Sequence, residues 1–128
     1  MSSRTAVDLA HLDRYTGGDA SLNDEILALF HGQCHETLAR LEAIVEGLDG
    51  ESTAHSLGTD GKERWHKIVH TLKGGARGIG AFELADTAEA VERTDPSDRL
   101  AGLKALERIK QSSALVLSFI DEFRRRAP

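Results

Sequence analysis

The chain has 128 residues, of which 40% are hydrophobic, which is enough for one domain with a modest core and too little for two. Aromatic residues make up only 5%, so aliphatic residues must fill that core, and this favours helices over strands. The net charge of −5 argues against nucleic-acid binding, and the single cysteine, Cys34, excludes an internal disulfide. Because there is no signal-peptide pattern and no run of about 20 apolar residues, we expect a cytoplasmic protein that does not enter the membrane.

The first half of the chain predicts two helices and a long loop. Residues 1–5 are expected to be a loose N-terminus, and a short helix over 7–15 ends at Gly17 and Gly18. A long helix over 22–47 begins at a capping box formed by Ser21 and Asp24. Its apolar stripe has helical spacing and consists of Leu22, Ile26, Phe30, Leu41, Ile44 and Leu48. Residues 50–60 have no apolar period and predict a loop longer than most helix connections.

The second half predicts three more helices. Asp60 is a suitable N-cap for a helix that runs to Ile79 and is ended by Gly80. A fourth helix is expected over 81–93. Asp95 as N-cap and Pro96 in the first turn start a fifth helix over 97–125. Four amphipathic helices with mostly short links predict an all-α fold, an antiparallel four-helix bundle with a short additional N-terminal helix, as a single domain over 1–128.

The third helix separates into a core face and an outer face. At about 100° per residue, His70 lies about 160° from Leu72, which is almost opposite the core. The expected buried face consists of Trp65, Ile68, Val69, Leu72, Gly75, Ala76 and Ile79. The residues that share the outer face with His70 are His66, Lys67, Lys73, Gly74 and Arg77. Gly74 and Gly78 leave the helix bare on this side, so another protein's backbone can approach the imidazole.

The chemistry of this outer face favours an anion. From Lys62 to Arg77 the chain has five basic residues and one acid, Glu63, within an acidic sequence. A histidine ring is largely neutral at pH 7 and then offers a nucleophilic nitrogen, and Lys73 could offset the charge of a phosphoryl group. The chain has no phosphate-binding glycine loop and no evident carboxylate cluster for magnesium. We therefore predict a phosphoryl carrier rather than an enzyme, one that receives the metal and most of the catalysis from its partner.

The segment over 70–81, HTLKGGARGIGA, resembles the motif of the histidine phosphotransfer domains of His-Asp phosphorelays, H-x-L-K-G with a second glycine six residues later. The resemblance covers residues 7–123 and includes the YTGGD segment over 15–19. It implies that His70 is the phosphoacceptor through Nε2, that Lys73 supports the phosphohistidine and that Gly74 stays small for docking. It also implies a response-regulator receiver domain as partner, a sensor or hybrid histidine kinase upstream, Mg²⁺ on the receiver and no cofactor in this chain.

Two positions depart from the family pattern. Gly75 stands where serine is common, and Glu92 stands where some members have a glutamine that touches the phosphoryl site. The resemblance thus makes Glu92 a possible neighbour of the phosphoryl group. The predicted docking surface consists of His66, Lys67, Gly74, Arg77 and Gly78, on a chain that we expect to be a monomer without nucleic-acid partners.

Two other functions remain open from the sequence. The first is a receiver-docking or dimerisation module in which His70 carries no phosphoryl group. The second is a metal-binding bundle, because His31 with His35, and His66 with His70, are each spaced by one helical turn.

Two features argue against a metal site. Lys67, Lys73 and Arg77 would repel a cation from the second histidine pair, and no further cysteine or acid is evident as a ligand. No metal is therefore predicted. Cys34 is expected to be a packed, inert thiol, since it lies near the apolar stripe of its helix.

Overall fold

The computed structural model describes residues 5–47 and 58–126, and for residues 58–60 only the backbone. Within these ranges the chain forms five helices and no strand: α1 (Leu9–Thr16), α2 (Ala20–Glu46), α3 (Gly58–Ile79), α4 (Phe82–Val91) and α5 (Arg99–Arg126). This confirms the predicted all-α class. None of the helices in the described part of the chain has the length and apolar character needed to cross a membrane.

Helices α2 to α5 close into a bundle in which each helix packs against two others. Helix α2 contacts α3 and α5, and α4 contacts the same two helices from the opposite side. Two hydrogen bonds show that α2 and α5 are antiparallel: Arg124 donates to Asp24 near the start of α2, and Arg99 donates to the carbonyl of Val45 near its end. The short helix α1 packs on α2 and α3. The predicted antiparallel four-helix bundle with an additional N-terminal helix is therefore confirmed.

The buried face of α2 differs by one residue from the predicted stripe at two places. Leu27 and Val45 are buried, whereas Ile26 and Ile44 lie at the edge of the core and Leu22 is 39% exposed. Adjacent apolar residues leave the phase of a helical face ambiguous, and only the packed neighbours decide it. The buried residues of α2 are Asn23, Leu27, Phe30, Cys34, Leu41 and Val45. Leu48 lies outside the described residues.

The predicted starts of α2, α3 and α5 were each wrong by two or three residues. Helix α2 is capped by Asp19, whose carboxylate accepts from the N–H of Leu22, and Ser21 lies inside the helix. Helix α5 starts after Asp98, which accepts from the N–H of Ala101. Each of these segments contains more than one residue able to cap, so composition alone could not choose between them.

The predicted N-caps of α5 and α3 were Asp95 and Asp60. Asp95 accepts two hydrogen bonds from Ser97 in the turn before α5, instead of capping that helix. Helix α3 already begins at Gly58, so Asp60 is not its N-cap. The predicted 50–60 loop therefore ends earlier than expected, and residues 50–57 lie outside the described part of the chain, as do residues 1–4 of the predicted loose N-terminus.

The corner between α3 and α4 positions the elements on which the site depends. Gly80 ends α3 with a positive φ of 87°, and the N–H of Ala81 donates to the carbonyl of Ala76, which completes a Schellman turn. The N–H of Asp8, the N-cap of α1, donates to the carbonyl of Gly80 at 2.9 Å. A Cβ atom on Gly80 would lie 2.6 Å from the carbonyl oxygen of Asp8. Gly80 thus ties α1 to the corner from which α4 returns along α3.

Candidate functional site

His70 projects from the outer face of α3, where helical spacing places it. Its side chain is 63% exposed, while the opposite face of the helix is buried in the bundle. The buried residues of that face are Trp65, Ile68, Val69, Leu72, Ala76 and Ile79. Gly75, which was expected in the core, is exposed at the edge, where an added Cβ would lie 3.4 Å from a ring carbon of Phe30. The core face of α3 therefore holds His70 outward on a rigid helix.

The C-terminal end of α4 is held by side chains of α3. The last carbonyls of a helix lack intrahelical partners, so they bind other donors. The indole Nε1 of Trp65 donates to the carbonyl oxygen of Val91 at 2.8 Å, and Nδ1 of His66 lies 3.4 Å from the carbonyl oxygen of Glu92. These two contacts fix the residue that follows α4, Glu92, over the outer face of α3.

Glu92 joins His70 and Lys73 through its two carboxylate oxygens. Oε2 lies 3.1 Å from Nδ1 of His70, and Oε1 accepts a hydrogen bond from Nζ of Lys73 at 2.7 Å. The side chain of Glu92 is only 9% exposed and that of Lys73 only 14%, so the pair is largely shielded from water. The hydrogen bond from Lys73, supported by that from His70, lowers the pKa of Glu92 to about 2 although burial acts to raise it. Glu92 is therefore a carboxylate at neutral pH.

This carboxylate determines where the neutral imidazole of His70 carries its proton. An ionised carboxylate only accepts hydrogen bonds, so Nδ1 of His70 must be the donor. A neutral ring with its proton on Nδ1 keeps the lone pair on Nε2. The arrangement thus gives a largely exposed histidine one defined tautomer, and the nitrogen away from Glu92 is the nucleophilic one.

A second histidine and two bare helix positions surround His70. The ring of His66 stacks on that of His70 with 5.9 Å between their centroids and 23° between their planes, and its Nε2 lies 3.6 Å from Oε2 of Glu92. Gly74 and Gly78 are exposed, and an added Cβ at either would meet no atom within 4 Å. The surface beside His70 is therefore open to a partner.

A family model described as the Hpt domain matches residues 25–114, which is more than half of the chain. The chain belongs to the Hpt domain family. No curated protein and no solved structure gives a significant match. Hpt domains are helical phosphocarrier modules of two-component phosphorelays and interact with histidine kinases and response regulators. The matched segment contains the whole of α3 and α4 together with Glu92.

The outer face of α3 in this Hpt domain is less positive than its sequence predicts. Nζ of Lys73 is paired with Glu92, and Nη2 of Arg77 donates to Oε1 of Glu89 at 2.7 Å. Both acids come from α4 or the residue after it. Lys67, which the sequence places on the docking surface, is exposed. The structure therefore brings together the predicted residues His66, His70, Lys73 and Glu92, and leaves Lys67, Gly74, Arg77 and Gly78 around them.

The acid of this Hpt domain's site was missed when the residues alone were considered. The expectation that no acid is supplied to His66 and His70 was wrong, because Glu92 contacts both histidines from another helix. Only the family resemblance had pointed to Glu92. One further signal was available in the sequence: a buried tryptophan needs an acceptor for its N–H, and Trp65 finds it next to Glu92.

Proposed function

We propose that this Hpt domain accepts a phosphoryl group on Nε2 of His70 and exchanges it with the aspartate of a response-regulator receiver domain. One observation carries the proposal: the carboxylate of Glu92 lies 3.1 Å from Nδ1 of a histidine whose side chain is 63% exposed. The pair supplies a nucleophilic nitrogen on the outer side and a fixed negative charge on the inner side.

The transfer step needs no base. The lone pair of Nε2 attacks the phosphorus of the partner's aspartyl phosphate, the P–N bond forms, and the P–O bond to the aspartate breaks. The aspartate leaves as a carboxylate with the electron pair of that bond. The ring keeps its proton on Nδ1 and becomes a phosphoimidazolium, whose positive charge Glu92 stabilises. In the return direction the same bonds break and form in reverse order.

Lys73 has two roles in the proposed site. Its ammonium group holds Oε1 of Glu92 at 2.7 Å, which keeps Oε2 directed to His70. The same positive charge, three residues from His70 on α3, offsets the negative charge of the phosphoryl group. This double role fits a cation that is only 14% exposed, because a shielded charge interacts more strongly than a hydrated one.

The partner supplies what this chain does not offer. We propose that the receiver domain brings the Mg²⁺ and the aspartate, that a sensor or hybrid histidine kinase feeds the relay, and that the chain works as a monomer in the cytoplasm. The open helix surface at Gly74 and Gly78 admits the receiver's backbone, and His66, Lys67 and Arg77 surround that surface.

Radiolabel transfer from a phosphorylated receiver domain tests the proposal. The wild-type chain should gain an acid-labile, base-stable label, and His70→Gln should gain none. The control is His31→Gln, which alters the other helical histidine pair and should be labelled like the wild type. A label that persists in His70→Gln would contradict the assignment. Receiver binding without any labelling of the wild type would instead support a docking module.

A further inference from the structure

We propose that His66, His70 and Glu92 form a binding site for a divalent transition-metal ion such as Zn²⁺, and that the bound ion switches off His70 as a nucleophile. Among the residues whose side chains the structure describes, these three each offer one ligand atom, and the three atoms all lie within 4.8 Å of one another. Two imidazoles and a carboxylate are a common zinc-binding set that leaves a fourth position open.

The distances between the ligand atoms suit a tetrahedral ion. Oε2 of Glu92 lies 3.1 Å from Nδ1 of His70 and 3.6 Å from Nε2 of His66. Ligands about 2.0–2.1 Å from zinc lie about 3.4 Å from each other in a tetrahedron. The two distances bracket this value, and the ligand atoms of His66 and His70 lie within 4.8 Å of each other, so rotations of the side chains can bring all three atoms to one ion.

The tautomer of His66 favours a cation at this position. Nδ1 of His66 lies 3.4 Å from the carbonyl oxygen of Glu92, which can only accept, so Nδ1 is the donor. The neutral ring then directs the lone pair of Nε2 toward Oε2 of Glu92, which is itself an acceptor. Two acceptors that face each other are unfavourable unless a proton or a metal ion lies between them. A metal ion between Nε2 and Oε2 would satisfy both groups.

The charge of the neighbouring residues does not exclude the ion. The ammonium group of Lys73 and the guanidinium of Arg77 are each paired with a carboxylate, at 2.7 Å in both cases. Lys73 contacts Oε1 of Glu92 and leaves Oε2 to the metal. Lys73 nevertheless competes for the charge of Glu92, so its removal should strengthen metal binding.

A metal ion on Nδ1 of His70 would remove the nucleophile. A neutral imidazole ligand gives one lone pair to the metal and carries its proton on the other nitrogen. When the ion takes Nδ1, the ring proton moves to Nε2, and no lone pair remains there to attack phosphorus. This inhibitory half of the inference rests on the proposed function, whereas the binding half does not.

Calorimetry with ZnCl₂ on the tag-free full chain at pH 7.5 tests the binding half. We expect one ion per chain. His66→Gln keeps a donor for the carbonyl of Glu92 but should weaken binding more than about tenfold, because even indirect partners of a metal are worth that much. Lys73→Gln should strengthen binding, although it should slow phosphoryl transfer.

The matched control is His31→Gln, which should bind one ion with unchanged affinity. Circular dichroism of each variant checks that the bundle is intact. No binding heat at micromolar zinc would overturn the proposal, and so would binding that is lost in His31→Gln but retained in His66→Gln.

Carbethoxylation with diethyl pyrocarbonate, followed by peptide mapping, tests the loss of nucleophilicity without a receiver domain. Zinc should slow the modification of His66 and His70 about tenfold and leave that of His35 unchanged. Equal rates with and without zinc would contradict the inference. If zinc binds and protects but His70 never accepts a phosphoryl group, the proposed function fails and the metal site stands. If His70 is labelled but zinc does not bind, the metal site fails and the proposed function stands.

Discussion

The two histidine pairs of this Hpt domain look alike in the sequence and differ in the structure. On α2, the side chain of His31 is 27% exposed and lies beside Asp121 of α5, which is 57% exposed. On α3, the side chain of His70 is 63% exposed and lies beside Glu92, which is 9% exposed. Between His31 and Asp121 the histidine is the more buried residue, whereas between His70 and Glu92 the acid is the more buried one. Only the His70–Glu92 arrangement leaves the imidazole accessible to a partner while the carboxylate beside it is shielded from water, where its charge interacts more strongly.

The orientation of the acids differs as well. Nε2 of His31 lies 3.0 Å from Oδ1 of Asp121 but makes no hydrogen bond of acceptable geometry. Glu92 is held by Lys73 and approaches Nδ1 of His70 rather than Nε2. Histidine spacing on a helix is thus a poor guide to a site, and a sheltered, oriented carboxylate is the informative feature.

Removing the charge of Glu92 and of Asp121 in turn tests whether the two histidine–acid pairs differ in function. Glu92→Gln keeps an acceptor near Nδ1 but loses the charge that stabilises the phosphoimidazolium, so transfer should slow about 10- to 100-fold. Asp121→Asn should leave the rate unchanged. Single-turnover transfer from a phosphorylated receiver measures both variants. Equal slowing by the two substitutions would show that the sheltered position of Glu92 has no special effect.

Gly80→Ala tests whether the α3–α4 corner maintains this arrangement. The new Cβ would meet the carbonyl oxygen of Asp8 at 2.6 Å, and φ of 87° is unfavourable for alanine. We expect a loss of about 1–3 kcal/mol in the free energy of unfolding, measured by urea denaturation. Gly78→Ala is the control, because its Cβ would meet no atom within 4 Å and alanine favours the helix. A stable Gly80→Ala variant would mean that α1 is free to leave the corner.

Much of this arrangement could be predicted from the sequence. The apolar spacing of α3 placed Trp65 and Leu72 in the core and His70 outside, and the structure agrees. Helix spacing is local information, and a side chain's direction follows from it once one face is buried. The all-α class and the end of α3 at Gly80 could be predicted for the same reason, because both depend on local sequence.

The rest depended on contacts between distant residues. Glu92 reaches His70 only because Trp65 and His66 bind the last carbonyls of α4, and no spacing rule connects residues 22 positions apart. The same limit applies to the positive face, since the pairing of Arg77 with Glu89 neutralises a charge that the sequence counts as available. Local patterns predict faces, whereas partners require the packed fold.

The variants Gly74→Leu and Gly32→Leu compare the helix surfaces beside His70 and His31. An added side chain at Gly74 meets nothing within 4 Å, so the fold should remain intact while receiver binding weakens about tenfold through steric exclusion. Gly32→Leu is the matched control, because Gly32 is an exposed helical glycine beside His31 with the same open surroundings. Calorimetric titration with a receiver domain measures both. If Gly32→Leu weakens binding as much as Gly74→Leu, the docking surface extends to α2.

The smallest expected effect is on the pH dependence of stability and comes from Cys34, on the buried face of α2. The thiol is fully buried, and burial raises its pKa, which the neighbouring Ser113 offsets only partly. Because the folded state favours the neutral thiol, its contribution to stability is complete below the pKa of an unfolded cysteine, about 8.5, and is lost as the pH rises through the higher folded value.

The wild type should therefore lose stability relative to Cys34→Ala as the pH rises from about 8 to about 10, and its thiol should react with iodoacetamide slowly until the chain unfolds. Urea denaturation at both pH values and mass spectrometry of alkylated protein measure these effects. Phosphoryl transfer should not change in Cys34→Ala, because the thiol is buried in the core of the bundle whereas His70 is exposed on the outer face of α3. Rapid alkylation of the folded chain would show that the core around Cys34 opens in the folded state, contrary to the burial of its thiol.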